Sequence, residues 1–164
     1  MLKGSALIFQ ILIIYLYGEM MGVTFTETDD TERILTGLKI LGVSEIQGGV
    51  FGEKDANLPV YASANEFGTQ DGRIPERAFL RKTFDDDAAI KAVFDFGAQI
   101  YDKTGLIKDM LKAMGAKLVS EIQKSIDSNI PPPNAPSTIK AKGGKDHTLI
   151  DTGRMRQGVT YKIA

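Results

Sequence analysis

The chain has 164 residues, enough for one domain with a single core, and its 43% apolar and 25% charged residues are ordinary values for a globular protein. It has no Cys and a single His, His147, which excludes a disulfide framework, thiol catalysis, thiolate metal sites and a two-histidine zinc site within one chain. The net charge of −1 does not nominate nucleic acid as a ligand, but it is unevenly placed. Residues 1–101 carry 9 Lys/Arg against 15 Asp/Glu, and residues 102–164 carry 11 against 6. A chain so divided pairs its halves internally, stacks head to tail with copies of itself, or faces a charged partner, and internal pairing is the favoured reading.

Residues 1–20 form an apolar N-terminal extension. Ala6 to Tyr17 reads ALIFQILIIYLY behind Lys3, which looks like the n- and h-regions of a signal peptide. The run of 12 residues falls short of the roughly 20 that span a bilayer, and no small-x-small cleavage site follows it. With Met20 and Met21 directly behind it, the first reading is a true start at one of these methionines. A signal or anchor is the second reading, and a helix docking on a partner the third. Residues 21–164 are expected to form one α+β domain.

Gly22 to Glu27 has the β-branched and aromatic content of a short strand. Asp29, Asp30 and Thr31 offer N-caps for a helix with the stripe Ile34, Leu35, Leu38 and Leu41, closed by Gly42. Val43 to Phe51 reads as a strand with a bulge or bend at Gly48–Gly49. A short helix over 59–66 follows a polar loop, starting at Pro59 and ending at Gly68. After a turn at 70–73, Ile74 to Arg81 is expected to be extended, because Pro75 biases Ile74 away from helix.

Asp85, Asp86 and Asp87 suit the start of a helix whose apolar face is Ile90, Val93, Phe94, Gly97, Ile100 and Tyr101. Beyond Gly105 a longer helix has Ile107, Met110, Leu111, Met114, Leu118, Val119, Ile122 and Ile126 on one face. Its other face holds Lys108, Lys112, Lys117, Glu121 and Lys124. Asn129 to Thr148 is a Pro/Gly/Lys-rich loop with room for one helical turn near 135–142, expected to be mobile until a partner orders it. A short turn at 152–157 and a closing strand at Val159 to Ile163 complete the chain. The architecture expected is a small antiparallel sheet packed against two long helices, with a long Pro/Gly/Lys-rich loop.

The candidate chemistries are weak. Gly48 to Gly52 lacks the spacing of a dinucleotide or phosphate loop. Three successive Asp at a helix start do not converge on one cation, so Asp85 to Asp87 read as a capping turn. His147 has Asp151, Ser137 and Ser128 nearby in sequence but no triad pattern. Lys140, Lys142 and Lys145 form a basic cluster without interleaved aromatics whose charges repel one another, and a solvated mobile loop, or a loop that folds on a protein partner, fits it better than a phosphate backbone contact. No catalytic residue, cofactor, metal ligand or small-molecule substrate is expected.

Four segments in order resemble a known family: Tyr61 to Thr69 (YASANEFGT), Ile74 to Arg81 (IPERAFLR), Pro133 to Lys140 (PNAPSTIK) and Leu149 to Met155 (LIDTGRM). They are similar to the virion morphogenesis proteins of tailed bacteriophages, the small neck and tail-completion proteins of the minor tail protein Z type. Ala78 stands where that pattern has proline, and Gly158 where it has serine. The resemblance spans about residues 22–164 and leaves 1–20 aside. It implies a structural protein of the virion, assembled in the host cytoplasm at the head-proximal end of the tail. The partners implied are other copies of itself in a ring, head–tail connector proteins and tail-tube proteins, without nucleic acid. A small prophage nucleic-acid-binding protein or enzyme is the alternative, and a membrane-anchored protein using residues 6–17 a further one.

The interface or motif residues expected from the resemblance and the basic cluster are Glu66, Phe67, Gly68, Thr69, Arg77, Phe79, Lys140, Lys142, Asp151 and Arg154. Phe67 is expected to be buried at the end of its helix. Arg77 is expected to pair with Glu66 or Glu76, Phe79 and Leu80 to straddle an extended segment, and Asp151 and Thr152 to cap the turn carrying Arg154.

Overall fold

The computed structural model describes residues 31–53 and 55–164. The apolar run 6–17, the candidate strand 22–27 and the candidate caps Asp29 and Asp30 lie outside the described residues. The elements in chain order are α1 (Thr31–Val43), β1 (Ile46–Val50), α2 (Leu58–Phe67), α3 (Phe79–Phe84), α4 (Asp87–Thr104), α5 (Ile107–Asp127), α6 (Pro136–Ala141), α7 (Arg154–Gln157) and β2 (Val159–Ile163). The fold is α+β, as expected: a two-stranded antiparallel sheet against long helices.

The long helices begin and end for local reasons. Asp86 caps α4 by accepting hydrogen bonds from the N–H groups of Ala88 and Ala89, at 2.9 and 3.2 Å. Gly105, at φ 65°, closes α4 in the left-handed conformation and returns its N–H to the Tyr101 carbonyl at 2.7 Å. Only Gly105 and Leu106 separate α4 from α5, so the two helices fold back on each other.

α5 is the central element, packed by α4, α3 and both strands. Small residues set the close approaches. A Cβ at Gly97 on α4 would strike Met114 of α5, and one at Gly115 on α5 would strike the Tyr161 ring of β2. Phe79, Ile122 and Ile126 are the largest fully buried side chains, with Leu111, Leu118 and Met110 beside them. Each such burial contributes about 1.5–3 kcal/mol.

β1 and β2 pair in register from Ile46 opposite Ile163 to Val50 opposite Val159. Glu45 and Ala164 extend the ladder by exchanging two hydrogen bonds of 2.9 Å. The bulge expected at Gly48–Gly49 is absent, because both glycines take regular places opposite Tyr161 and Thr160. Packing explains the first of them: a Cβ on Gly48 would lie 2.6 Å from Leu118 Cδ2, so glycine lets β1 lie flat on α5.

Three further expectations are corrected. α1 runs through Gly42, which has open space around it and does not stop the helix before Val43. Ile74 to Ala78 is non-helical, but Phe79–Phe84 is the helix α3 rather than a continuing extended segment. Glu121 does not belong to a solvated face of α5. It is buried and salt-bridged to Lys117 at 2.9 Å and to Lys124 at 2.8 Å. Burial works against its charge, yet the two lysines outweigh that and hold its carboxyl below the usual range.

The 129–148 segment is not a free loop. Ile130 and Asn134 are buried in it, α6 forms from Pro136, and Asn129 Oδ1 accepts the Thr148 N–H at 2.8 Å. Lys142, expected to repel its lysine neighbours in solvent, is half-buried and donates to the carbonyls of His147, Thr148 and Ile150 at 2.8, 3.3 and 3.1 Å. These internal hydrogen bonds satisfy backbone carbonyls that composition alone leaves to solvent or a partner.

A candidate interaction groove

Glu66 is the pivot of the second and third helices. It lies at the end of α2, 2% exposed, and its carboxylate accepts the N–H groups of Leu80 and Arg81 at 2.8 and 3.0 Å. It therefore supplies the N-terminal cap of α3 from another element, where the local residue Ala78 provides no side-chain bond. Arg81 returns to Glu66 Oε1 at 3.3 Å, to the Glu66 carbonyl at 2.9 Å and to Glu76 at 2.8 Å. The hydrogen bonds to Glu76 and Glu66 raise the Arg81 guanidinium above its ordinary value.

The partner expected for Glu66 and Glu76 was Arg77, and the structure corrects this. The non-helical segment 74–78 forms a strap across this side, in which Glu76 stays exposed and Arg77 turns inward. Its Nε donates to the Pro132 carbonyl at 2.9 Å, and its Nη2 to the Pro133 carbonyl at 3.3 Å and to Asn134 Oδ1 at 3.5 Å. Asn134 in turn donates to the carbonyls of Asp146 and His147 at 3.3 and 3.1 Å. The second and third motif segments are thereby clamped together. Arg77 is 4% exposed, and burial lowers its pKa from the ordinary arginine value.

These contacts build the wall of an open groove of about 700 Å³. Tyr61 and Asn65 from α2, Ile74, Pro75 and Arg77 from the strap, and Pro133, Asn134 and Thr138 from the third segment line it. Leu149, Asp151, Gly153, Arg154 and Met155 from the fourth segment complete it, with Lys142 and Thr148 between. Burial lowers the Lys142 pKa, an effect opposed by Asp151 and reinforced by the neighbouring charge of Arg77. Among the described residues no carboxylate is salt-bridged to either Arg77 or Lys142. Two rim arginines are already paired: Arg73 with Asp71 at 3.2 Å, and Arg154 with Asp55.

The other expected motif residues fall as follows. Phe79 is fully buried, but at the start of a helix. Phe67 is corrected: it is 67% exposed, because its neighbour Glu66 takes the inward position on α2, and its ring lies under Arg81 at 5.4 Å. Gly68, at φ 71°, turns the chain so that Thr69 N–H meets the Ile74 carbonyl at 2.9 Å and Thr69 Oγ1 accepts the Ile74 N–H at 3.0 Å. Lys140 is exposed on α6, away from the groove lining. Asp151 and Thr152 do not cap the turn carrying Arg154. Gly153, at φ 80°, holds that position with no side-chain cap.

His147 is not among the groove residues. Its Nε2 lies 3.2 Å from the Asp127 carbonyl, and Asp127 holds Arg156 through bonds of 2.7 and 2.8 Å. The roles of Glu66, Arg81, Asn134 and Asn129 were not legible in advance, since each bonds to a segment remote in sequence or around a turn. Among the described residues no group of His, Asp and Glu converges as a metal site, and no helix is long and apolar enough to cross a membrane. No protein-family model, no curated protein and no solved structure matches this chain.

Proposed function

We propose that this chain is a structural, non-enzymatic protein of a phage or prophage, of the neck or tail-completion type. It acts at the head-proximal end of the tail, joins copies of itself with head–tail connector and tail-tube proteins, and assembles in the host cytoplasm before residing in the virion. One observation carries the reading: all four segments that resemble virion morphogenesis proteins, although separated by up to some 50 residues of chain, contribute to one groove. The clamp of Arg77 onto Pro132, Pro133 and Asn134 makes the groove a fixed surface, the kind that receives a partner with little reorganisation.

The experiment is deletion of the gene from the phage that encodes it, with the lysate examined by electron microscopy. Heads and tails that accumulate unjoined, and infectious particles restored by adding purified protein, are the expected result. A normal yield of joined particles without the protein overturns the proposal. Because no catalytic role is assigned to His147, the folded His147→Ala protein is expected to restore particles as well as the parent does.

A further inference from the structure

We infer that the groove receives the acidic turn Phe84–Asp87 of a second copy of this chain, in a head-to-tail contact. On the receiving side, Arg77 and Lys142 are withdrawn from water yet bonded only to carbonyl and amide oxygens. Asp151 stands in the same wall, while Arg73 and Arg154 are matched by Asp71 and Asp55, so the two inner cations leave a net positive charge. Thr148, also in the wall, has a buried hydroxyl without a hydrogen-bond partner among the described residues. A carboxylate entering here meets the positive charge of both side chains: the three Lys142 Nζ hydrogens are already donated to carbonyls, whereas Arg77 Nη1 makes no hydrogen bond among the described residues and is left as a charge-assisted donor. The volume of about 700 Å³ lies within the roughly 300–1,000 Å³ of ligand clefts, and Ile74, Pro75 and Pro133 give it apolar walls.

On the delivering side, the break between α3 and α4 presents Phe84, 45% exposed, followed by three carboxylates. Asp86 is committed to capping α4, whereas the carboxylates of Asp85 and Asp87 make no hydrogen bond or ion pair among the described residues. The turn thus offers an aromatic anchor beside two uncommitted negative charges, the complement of a groove whose two inner cations are bonded to neutral oxygens and salt-bridged to no carboxylate among the described residues. Groove and turn are different surfaces, so the contact is heterologous and propagates from copy to copy until it closes a ring or extends a filament. It rests on this chain's own charges and holds whether or not the virion role does.

Sedimentation velocity of the full chain at low and high salt is the test. The native protein is expected to associate with rising concentration at low salt and less so at high salt, as exposed charges are screened. Asp85→Lys combined with Asp87→Lys leaves the Asp86 cap intact and is expected to weaken association at least roughly tenfold. Thr138→Trp, which fills the groove from an exposed position, is expected to do the same, and Arg73→Glu on the rim is a second groove variant. Mixing a turn variant with a groove variant leaves one sound turn and one sound groove, so pairs form and nothing larger. A native chain that stays monomeric, a turn variant that associates like the parent, or a mixture that forms no pairs overturns the contact. Particle complementation, in contrast, reads only the virion role.

Discussion

Glu66 and Phe67 are adjacent in the chain and opposite in consequence. The carboxylate of Glu66 satisfies two N–H groups at the start of α3, whereas the Phe67 ring faces water. Glu66→Ala is expected to lower stability by about 1–3 kcal/mol, the cost of leaving buried donors unpaired. Phe67→Ala is expected to change it by about 0.5 kcal/mol or less, the scale of an exposed cation–π contact. Urea denaturation of the two variants separates them. Asp127 gives a pH prediction: its hydrogen bonds to Arg156 hold its carboxyl below the usual range. A carboxyl depressed in the folded state stabilises above its unfolded pKa of about 3.9, and that stabilisation is lost as pH falls through the folded value. Asp127→Asn should therefore flatten the acid limb of the stability curve below about pH 4, measured by thermal melts from pH 2 to 7. An unchanged acid limb would show that the pair contributes nothing.

At the scale of elements, α5 works because each neighbour meets it through a different device. The strands reach it over Gly48 and Gly115, α4 over Gly97, and α3 by inserting Phe79. Phe79→Ala is expected to cost about 3–5 kcal/mol through the cavity it leaves, while a loss under about 1 kcal/mol would contradict its full burial. Gly115→Ala places a methyl where the Tyr161 ring lies, with an expected cost of about 1–3 kcal/mol in chemical denaturation. The long helices were legible from their period because an apolar stripe of five turns has one physical solution. α3 was not, since six residues carry too little periodicity and its cap comes from Glu66, thirteen residues before Phe79.

At the scale of the whole molecule, the 129–148 segment links the groove to the core. Asn129, at φ 53°, holds the Thr148 N–H, so the two ends of the segment are tied at one point. Asn129→Ala loses that bond and places Ala in the left-handed region, for an expected cost of about 1–3 kcal/mol. Amide exchange read by NMR should show Thr148 protected in the parent and exposed in the variant. Asn129→Gly keeps the backbone conformation and isolates the hydrogen bond. Equal exchange at Thr148 in all three proteins would remove the tie from the account.

The sequence by itself determined the α+β class, both long helices, the acidic capping turn 85–87 before α4 and the break at Gly105 after it, the helix at 58–67 to within a residue at each end, and the closing strand. All of these depend on interactions within a few residues or on one repeated period. It also singled out the four segments that meet in the groove. Only the tertiary structure decided which charges inside them pair. Arg77 and Arg81 are interchangeable in a string of letters, but one sits beneath the 132–134 backbone and the other beside two carboxylates. The same holds for Lys142, where three inward carbonyls compensate what composition reads as repulsion. For Gly48, the approach of Leu118 supplies the reason that a bulge does not. A long-range contact has no period and no cap residue to announce it, so it becomes visible only when the elements are packed.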